Sequence, residues 1–216
     1  MQAQPEAPTG RTRAGRLGAR QTKLSRDAII DGALVFLDRD GWDGLTINAL
    51  ATQLGTKGPS LYNYVHSLDD LRRAVRIRVI DDLVDMLNRV GSGRSRDDAV
   101  LVMAGAYRSY AHHHPGRYSA FTRMPLDGDD PEYTEAAIGA AAPVIEVFTS
   151  YGLNGQDAFY AALEFWSALH GFVLLEMTGV MGGVDTDALF SDMVLRLAAA
   201  IDRPTSSGES GLPASL

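Results

Sequence analysis

Between Thr46 and Leu71 the chain reads TINALATQLGTKGPSLYNYVHSLDDL, a stretch that leaves few ways to fold. Thr46 is a residue type that caps helix N-termini, and Leu50, Ala51 and Leu54 form an apolar stripe behind it, which predicts a helix. Gly55 can end that helix in a left-handed conformation at little steric cost. Gly58-Pro59 restarts the chain, with Pro59 suited to a first helical position, where its missing N–H loses nothing. A second helix is expected to about Val65. Ser67 and Asp70 then have the spacing of a cap with an acid at the third helical position, so a third helix starts at Leu68.

The middle helix, at about seven residues, would not persist alone because nucleation is costly. Leu61 and Val65, four apart, supply one face for burial. Winding of about 100° per residue then turns Pro59, Ser60 and Asn63 outward, with Tyr62 and Tyr64 on the flanks. A helix presenting small and hydrogen-bonding groups suits a DNA major groove. Asn63 can pair with an adenine edge, while Lys57, Tyr62, Tyr64 and the Thr46 hydroxyl can hold phosphates. The shape is generic, and the residues also allow a plain surface helix in an ordinary bundle.

Gly55-Thr56-Lys57-Gly58-Pro59-Ser60-Leu61-Tyr62, followed by Val65 and Leu71, resembles the recognition segment of TetR-family transcriptional regulators, in its tetracycline-repressor-like version. The resemblance spans roughly residues 25 to 75. It implies an all-α fold: a three-helix DNA-binding head joined by a linker helix to a helical ligand-binding and dimerisation domain. The DNA-facing set becomes Thr46, Lys57, Gly58, Pro59, Ser60, Tyr62, Asn63 and Tyr64. Two positions depart from the family pattern. Tyr64 stands where the family usually has His, and Leu68 where it usually has a phosphate-binding Lys. Arg72 or Arg73, one helical turn on, is a candidate to replace that Lys.

Charge is distributed to match. The net charge is −7, but residues 1–66 hold 8 basic and 6 acidic side chains, against 12 and 21 in residues 67–216. A basic head on an acidic body fits local binding to phosphate. Residues 1–22, with Arg11, Arg13, Arg16, Arg20 and Lys23 at or near them, are expected as a disordered basic arm, and residues 204–216 as a disordered tail. The chain has no cysteine. That suits a reducing cytoplasm, the expected location. Neither a bilayer-spanning apolar run nor a secretory signal is evident.

Around the central stretch the periodicity predicts further helices. Ser25 caps a first helix to about Arg39, buried through Ile29, Ile30, Ala33, Leu34 and Leu37, with Trp42 as a lid. The head takes residues 23–70, and its linker helix runs from Leu68 to about Val90 as a solvated amphipathic helix. Gly91-Ser92-Gly93 marks the boundary to a body at 91–203. There, helices are expected near Arg96–His113, 132–151 with a bend or break at Pro143, 156–178 and Thr186–Ile201. Between the first two lie a short turn carrying Tyr118 and Phe121, and an acidic loop from Pro125 to Pro131. His112, His113 and His114 splay by about 100° each and do not make a metal site on a regular helix.

Trp166-Ser167-Ala168-Leu169-His170-Gly171 resembles a signature of one subclass of TetR regulatory domains. The resemblance implies that the last two long helices pair with those of a second copy. Tyr107, Tyr110, Tyr118, Phe121, Phe148, Trp166, His170 and Phe172 are the candidate lining for a small apolar effector, although aromatics at this spacing also serve as plain core. No cofactor or metal is expected. No nucleophile, phosphate-cradling Gly motif or one-turn His-Glu pair points to an enzyme. The expected function is a ligand-responsive repressor that binds a palindromic operator as a homodimer. The alternative is a helical ligand-binding dimer whose head no longer reads specific DNA.

Overall fold

Ser25 opens the first helix, its hydroxyl accepting the Ala28 N–H at 3.1 Å. The computed structural model describes residues 24–123 and 130–201; among these, ten helices and their connections account for the chain, with no strand. The predicted basic arm and C-terminal tail, and most of the acidic loop, lie outside the described residues.

α1 (Arg26–Asp40) buries the anticipated stripe together with Phe36. α2 (Ile47–Gln53) is capped by the Thr46 hydroxyl, which accepts the Ala49 N–H at 3.2 Å. Gly55 takes a left-handed φ of 66° in the turn. α3 (Gly58–Leu61) and α4 (Leu68–Gly91) complete the head and its linker, and Ser67 caps α4 through the Asp70 N–H at 3.0 Å. Trp42 is buried as a lid, under the guanidinium of Arg72 at 5.5 Å from its ring centre.

The body comprises α5 (Arg96–His113), α6 (Pro115–Thr122), α7 (Pro131–Gly139), α8 (Ala142–Thr149), α9 (Gly155–Met177) and α10 (Thr186–Ile201). α5 is central, packed against α4, α6, α8, α9 and α10, as its small and apolar middle requires. One connected apolar core runs from Ile29 in α1 to Ala198 in α10.

Several expectations are revised. The recognition helix ends at Leu61, not Val65, and begins at Gly58, one residue before Pro59. The segment after Leu61 closes as a turn, with the Tyr64 and Val65 N–H groups donating to the Leu61 carbonyl at 2.9 and 3.1 Å, and the Tyr64 carbonyl accepts from Arg26 at 2.9 Å. The stretch with Tyr118 and Phe121 is a two-turn helix, α6, held by its docking on α1 and α4. The helix expected over 132–151 is two helices, α7 and α8, parted just before Pro143, which sits in the first turn of α8 where its ring is tolerated. By length and composition α9 is apolar enough to cross a membrane, which the sequence reading did not recognise. Its charged residues Asp157, Glu164 and Glu176 interrupt the run when it is scanned as a line of letters.

The linker helix is not simply solvated. Arg76 is 1% exposed. Its Nε donates to the Ala120 carbonyl of α6 at 3.1 Å, and its guanidinium lies 4.8 Å from the Tyr133 ring centre of α7. Burial pulls its pKa down from the ordinary arginine value.

Head and body meet where α6 crosses the end of α1. A Cβ on Gly116 would fall 1.9 Å from the Leu37 carbonyl oxygen, so only glycine allows the two backbones to touch. Polar contacts surround that point: Asp38 pairs with Arg117 at 2.6 Å and hydrogen-bonds His114 Nδ1 at 3.0 Å, and Asp43 pairs with Arg123 at 2.6 Å. Asp31 pairs with Arg78 of α4 at 2.9 Å.

Candidate nucleic-acid interface

The outward face of the head follows from how α3 is anchored. Leu61 and Val65 are fully buried, which forces the intervening residues out. Tyr62 is 53% exposed and Tyr64 37%, and Pro59, Asn63 and Lys57 are exposed with them. Ser60 is half-buried and the Thr46 backbone sits at the exposed start of α2. Gly58 alone of the set is buried, because a Cβ there would meet the Asn48 side-chain oxygen at 2.6 Å; it sets how closely α3 approaches α2. Lys57, Pro59, Tyr62, Asn63 and Tyr64 are thus exposed in and beside α3, with Gly58 buried as a spacer.

The basic residues on α4 do not join that surface. Arg72 stacks over Trp42 and donates to the Leu45 carbonyl at 3.3 Å. Arg73 pairs with Asp130, and with Glu132 at 2.7 Å, at the start of α7. These pairs raise the Arg73 pKa and hold the Asp130 carboxyl down at about 2. Both arginines are thus turned toward protein partners and away from the position that Leu68 occupies in the family pattern.

In the body the structure brings five of the eight candidate effector residues together. The Tyr118 hydroxyl bonds His170 Nδ1 at 2.6 Å, and the His170 ring stacks on Trp166 at 5.5 Å. Phe121 meets Trp166 edge-on at 5.9 Å, and Tyr107 meets Tyr118 edge-on at 6.0 Å. The Tyr107 hydroxyl is buried without a hydrogen-bond partner, and burial pushes its pKa up. Burial lowers the pKa of His170, favouring the neutral ring. The other three lie elsewhere. Tyr110 packs on His114, Phe148 on Phe165 and Tyr151, and Phe172 on Phe190. None of the eight lines the cleft of about 510 Å³ between the end of α4 and α8, where Leu87, Asn88, Met103, Glu146 and Val147 form the walls.

The three adjacent histidines diverge as their helical positions demand. His112 reaches Glu176 at 2.7 Å, His113 the Ser109 carbonyl at 2.8 Å and His114 Asp38.

Comparison with known proteins matches residues 100–197 to the model of the tetracyclin repressor-like C-terminal domain. An HTH-type transcriptional regulator of Mycobacterium tuberculosis is 76% identical over 213 residues, covering 96% of this chain and 98% of its own. The chain belongs to the TetR family of transcriptional regulators.

Solved structures of the TetR fold agree. A Rhodococcus protein of unknown function superposes with a TM-score of 0.73 at 19% identity, covering 86% of this chain and 100% of that one. A variant TetR from Acinetobacter baumannii in complex with minocycline gives 0.62 at 19% identity, over 84% and 98%. In this TetR-family regulator the sequence reading missed one constellation beside α3: Arg26, Asp70 and the Tyr64 carbonyl. Its only trace in the sequence is an arginine directly after the α1 cap and an acid in the first turn of α4, 44 positions apart. No local pattern joins them.

Proposed function

We propose that the regulator binds a near-palindromic operator as a homodimer and acts as a repressor released by a small apolar effector. The observation that carries this is the α3 surface: Leu61 and Val65 are fully buried while Tyr62, Asn63 and Tyr64 stand exposed beside Lys57. Two phenols exposed in the turn directly after a four-residue helix suit contact with a groove and its phosphates. Two such heads reading successive major grooves give an inverted repeat.

The dimer surface we assign to α9 and α10. Leu163, Trp166 and Leu174 on α9, and Leu189 and Leu195 on α10, are large and exposed. At about 100° per residue Leu163, Trp166 and Leu174 share one stripe, opposite the buried Phe165, Leu169 and Phe172. An exposed apolar stripe of this kind calls for a partner, and pairing of helices from two copies supplies one without a membrane. The same argument accounts for the membrane-like apolarity of α9. A helix that is apolar on both sides and sits in a bundle of this kind is buried once by its own body and once by a partner.

The head is assigned residues 23–70, its linker helix extends to 90, and the body takes 91–203. The Tyr107–Tyr118–Trp166–His170 cluster is the candidate effector contact, and the chain works in the cytoplasm without catalysis. One observation favours the alternative of a degenerate head: Leu68 provides no phosphate contact, and Arg72 and Arg73 are engaged elsewhere. Selection of bound sequences from random duplex DNA at near-physiological salt tests the reading. An inverted repeat is expected; recovery of nothing above background supports the degenerate head.

A further inference from the structure

The recognition helix is only four residues long, so something outside it must set its angle to the groove. Two devices act at its start and beneath it: the Gly58 contact on Asn48 and the burial of Leu61. A third acts at its exit. Arg26, the first residue of α1, donates through Nη1 to the Tyr64 carbonyl at 2.9 Å and to Asp70 Oδ2 at 3.2 Å, and through Nη2 to Asp70 Oδ1 at 2.8 Å. Asp70 Oδ2 also accepts the His66 N–H at 2.7 Å. The planar guanidinium therefore joins three elements at one point: the start of α1, the carbonyl that follows the recognition helix, and the first turn of α4. A fork of this geometry fixes direction as well as distance, which an ammonium does not.

We propose that Arg26 and Asp70 are positioning residues for DNA reading, holding the Tyr62–Tyr64 segment at its working angle without touching the DNA. The inference rests on the operator reading given above. Arg26 directs Nη1 and Nη2 to protein acceptors, and Asp70 pairs its charge. Asp70 is an anion close to a surface that faces a polyanion. By charge alone its removal should strengthen binding to any duplex. If it positions Tyr64 and His66, its removal weakens binding instead. The two accounts of Asp70 differ in sign, which is what makes the pair testable.

The experiment uses the full chain and the duplex recovered by wild-type selection. Arg26→Gln, Asp70→Asn and the double variant are titrated with that duplex over a salt series, and active fraction is checked by stoichiometric titration. Each single variant is expected to lose affinity by about tenfold, the worth of a charge-assisted hydrogen bond. The double variant is expected to lose no more than either single one, because the two side chains act as one unit. The dependence of log affinity on log salt is expected to keep its slope, since no phosphate contact is removed. Unchanged or tighter binding by Asp70→Asn overturns the inference. So does a slope reduced by about one per lost contact in Arg26→Gln, which makes Arg26 a phosphate ligand. Arg26→Lys, retaining charge without the fork, is expected to behave like Arg26→Gln; full affinity in it also overturns the positioning role. A wild-type chain that recovers no sequence at all refutes the operator reading itself, a result the variants cannot produce.

Discussion

The hydroxyl of Tyr118 lies 2.6 Å from Nδ1 of His170 and thereby joins two parts of the molecule with different tasks. Tyr118 belongs to α6, whose first turn rests on α1 of the head. His170 belongs to α9, the helix assigned to the dimer. A change at this bond can reach both the head and the partner surface. The bond is also buried at the tyrosine end, so Tyr118→Phe should cost about 1 kcal/mol of stability, measured by urea unfolding. An unchanged unfolding midpoint would mean that the bond contributes nothing net.

The same site sets a pH dependence. Burial puts the His170 pKa below its ordinary value of 6.5 in the folded chain. Its contribution to stability is therefore complete above pH 6.5 and is lost as pH falls from there through the folded pKa. Glu176, held down at about 2 by Arg108 from an ordinary 4.5, acts in a separate, more acidic window. Melting temperature followed downward from pH 7.5 should begin to decline as pH falls below 6.5 in the wild type, and His170→Gln should flatten that portion. An identical decline in the variant would assign it to other groups.

Gly116→Ala places a methyl group where the Leu37 carbonyl oxygen already stands. Backbone cannot yield as a side chain does, so α6 must lift from α1. The expected cost is about 3 kcal/mol, toward the upper end of overpacking effects. Gly105→Ala is the control, because a Cβ there meets nothing within 4 Å. It should leave stability unchanged or slightly raised, since alanine favours helix over glycine by about 1 kcal/mol. Equal stability of the two variants would contradict the close packing of α6 on α1.

Tyr62→Phe with Asn63→Ala removes hydrogen-bonding groups from exposed positions. It should abolish operator binding while leaving melting temperature and oligomeric state as in the wild type, because surface changes of this kind cost little stability. Gel shift and sedimentation on the same preparation separate the two. Retained binding would remove these residues from the contact set.

Leu163→Glu with Leu174→Glu puts two charges on the exposed stripe of α9. Sedimentation should then show a monomer at concentrations where the wild type is a dimer, since an unpaired buried charge costs several kcal/mol at an interface. A variant that remains a dimer would place the interface elsewhere.

Much of the architecture was legible before any coordinates. Ser25, Thr46 and Ser67 each cap the helix they announce, because a cap is a bond between a side chain and a backbone N–H three residues away. The ends of α5 and α10 were equally legible from periodicity. The outward placement of Tyr62, Asn63 and Tyr64 could be read for a similar reason: Leu61 and Val65, four apart, are both buried. The grouping of the eight candidate effector residues was only partly legible. Tyr107, Tyr118, Phe121, Trp166 and His170 meet, but Tyr110, Phe148 and Phe172 share their composition and not their place, and composition alone does not distinguish them.

The arginines of α4 mark the division. By itself the sequence determined that α4 is a long helix with an apolar stripe and that α3 presents an outward face, since both depend on contacts within a few residues. Only the tertiary structure decided that Arg72 covers Trp42, that Arg73 holds the start of α7 and that Arg76 is buried against α6. A helical position states its angle about the axis, but whether that angle meets water or protein depends on elements tens of residues away. Arg26 and Asp70 are the same case: each is ordinary in its own helix, and their joint role exists only because packing of α1 against α4 brings the two N-termini together.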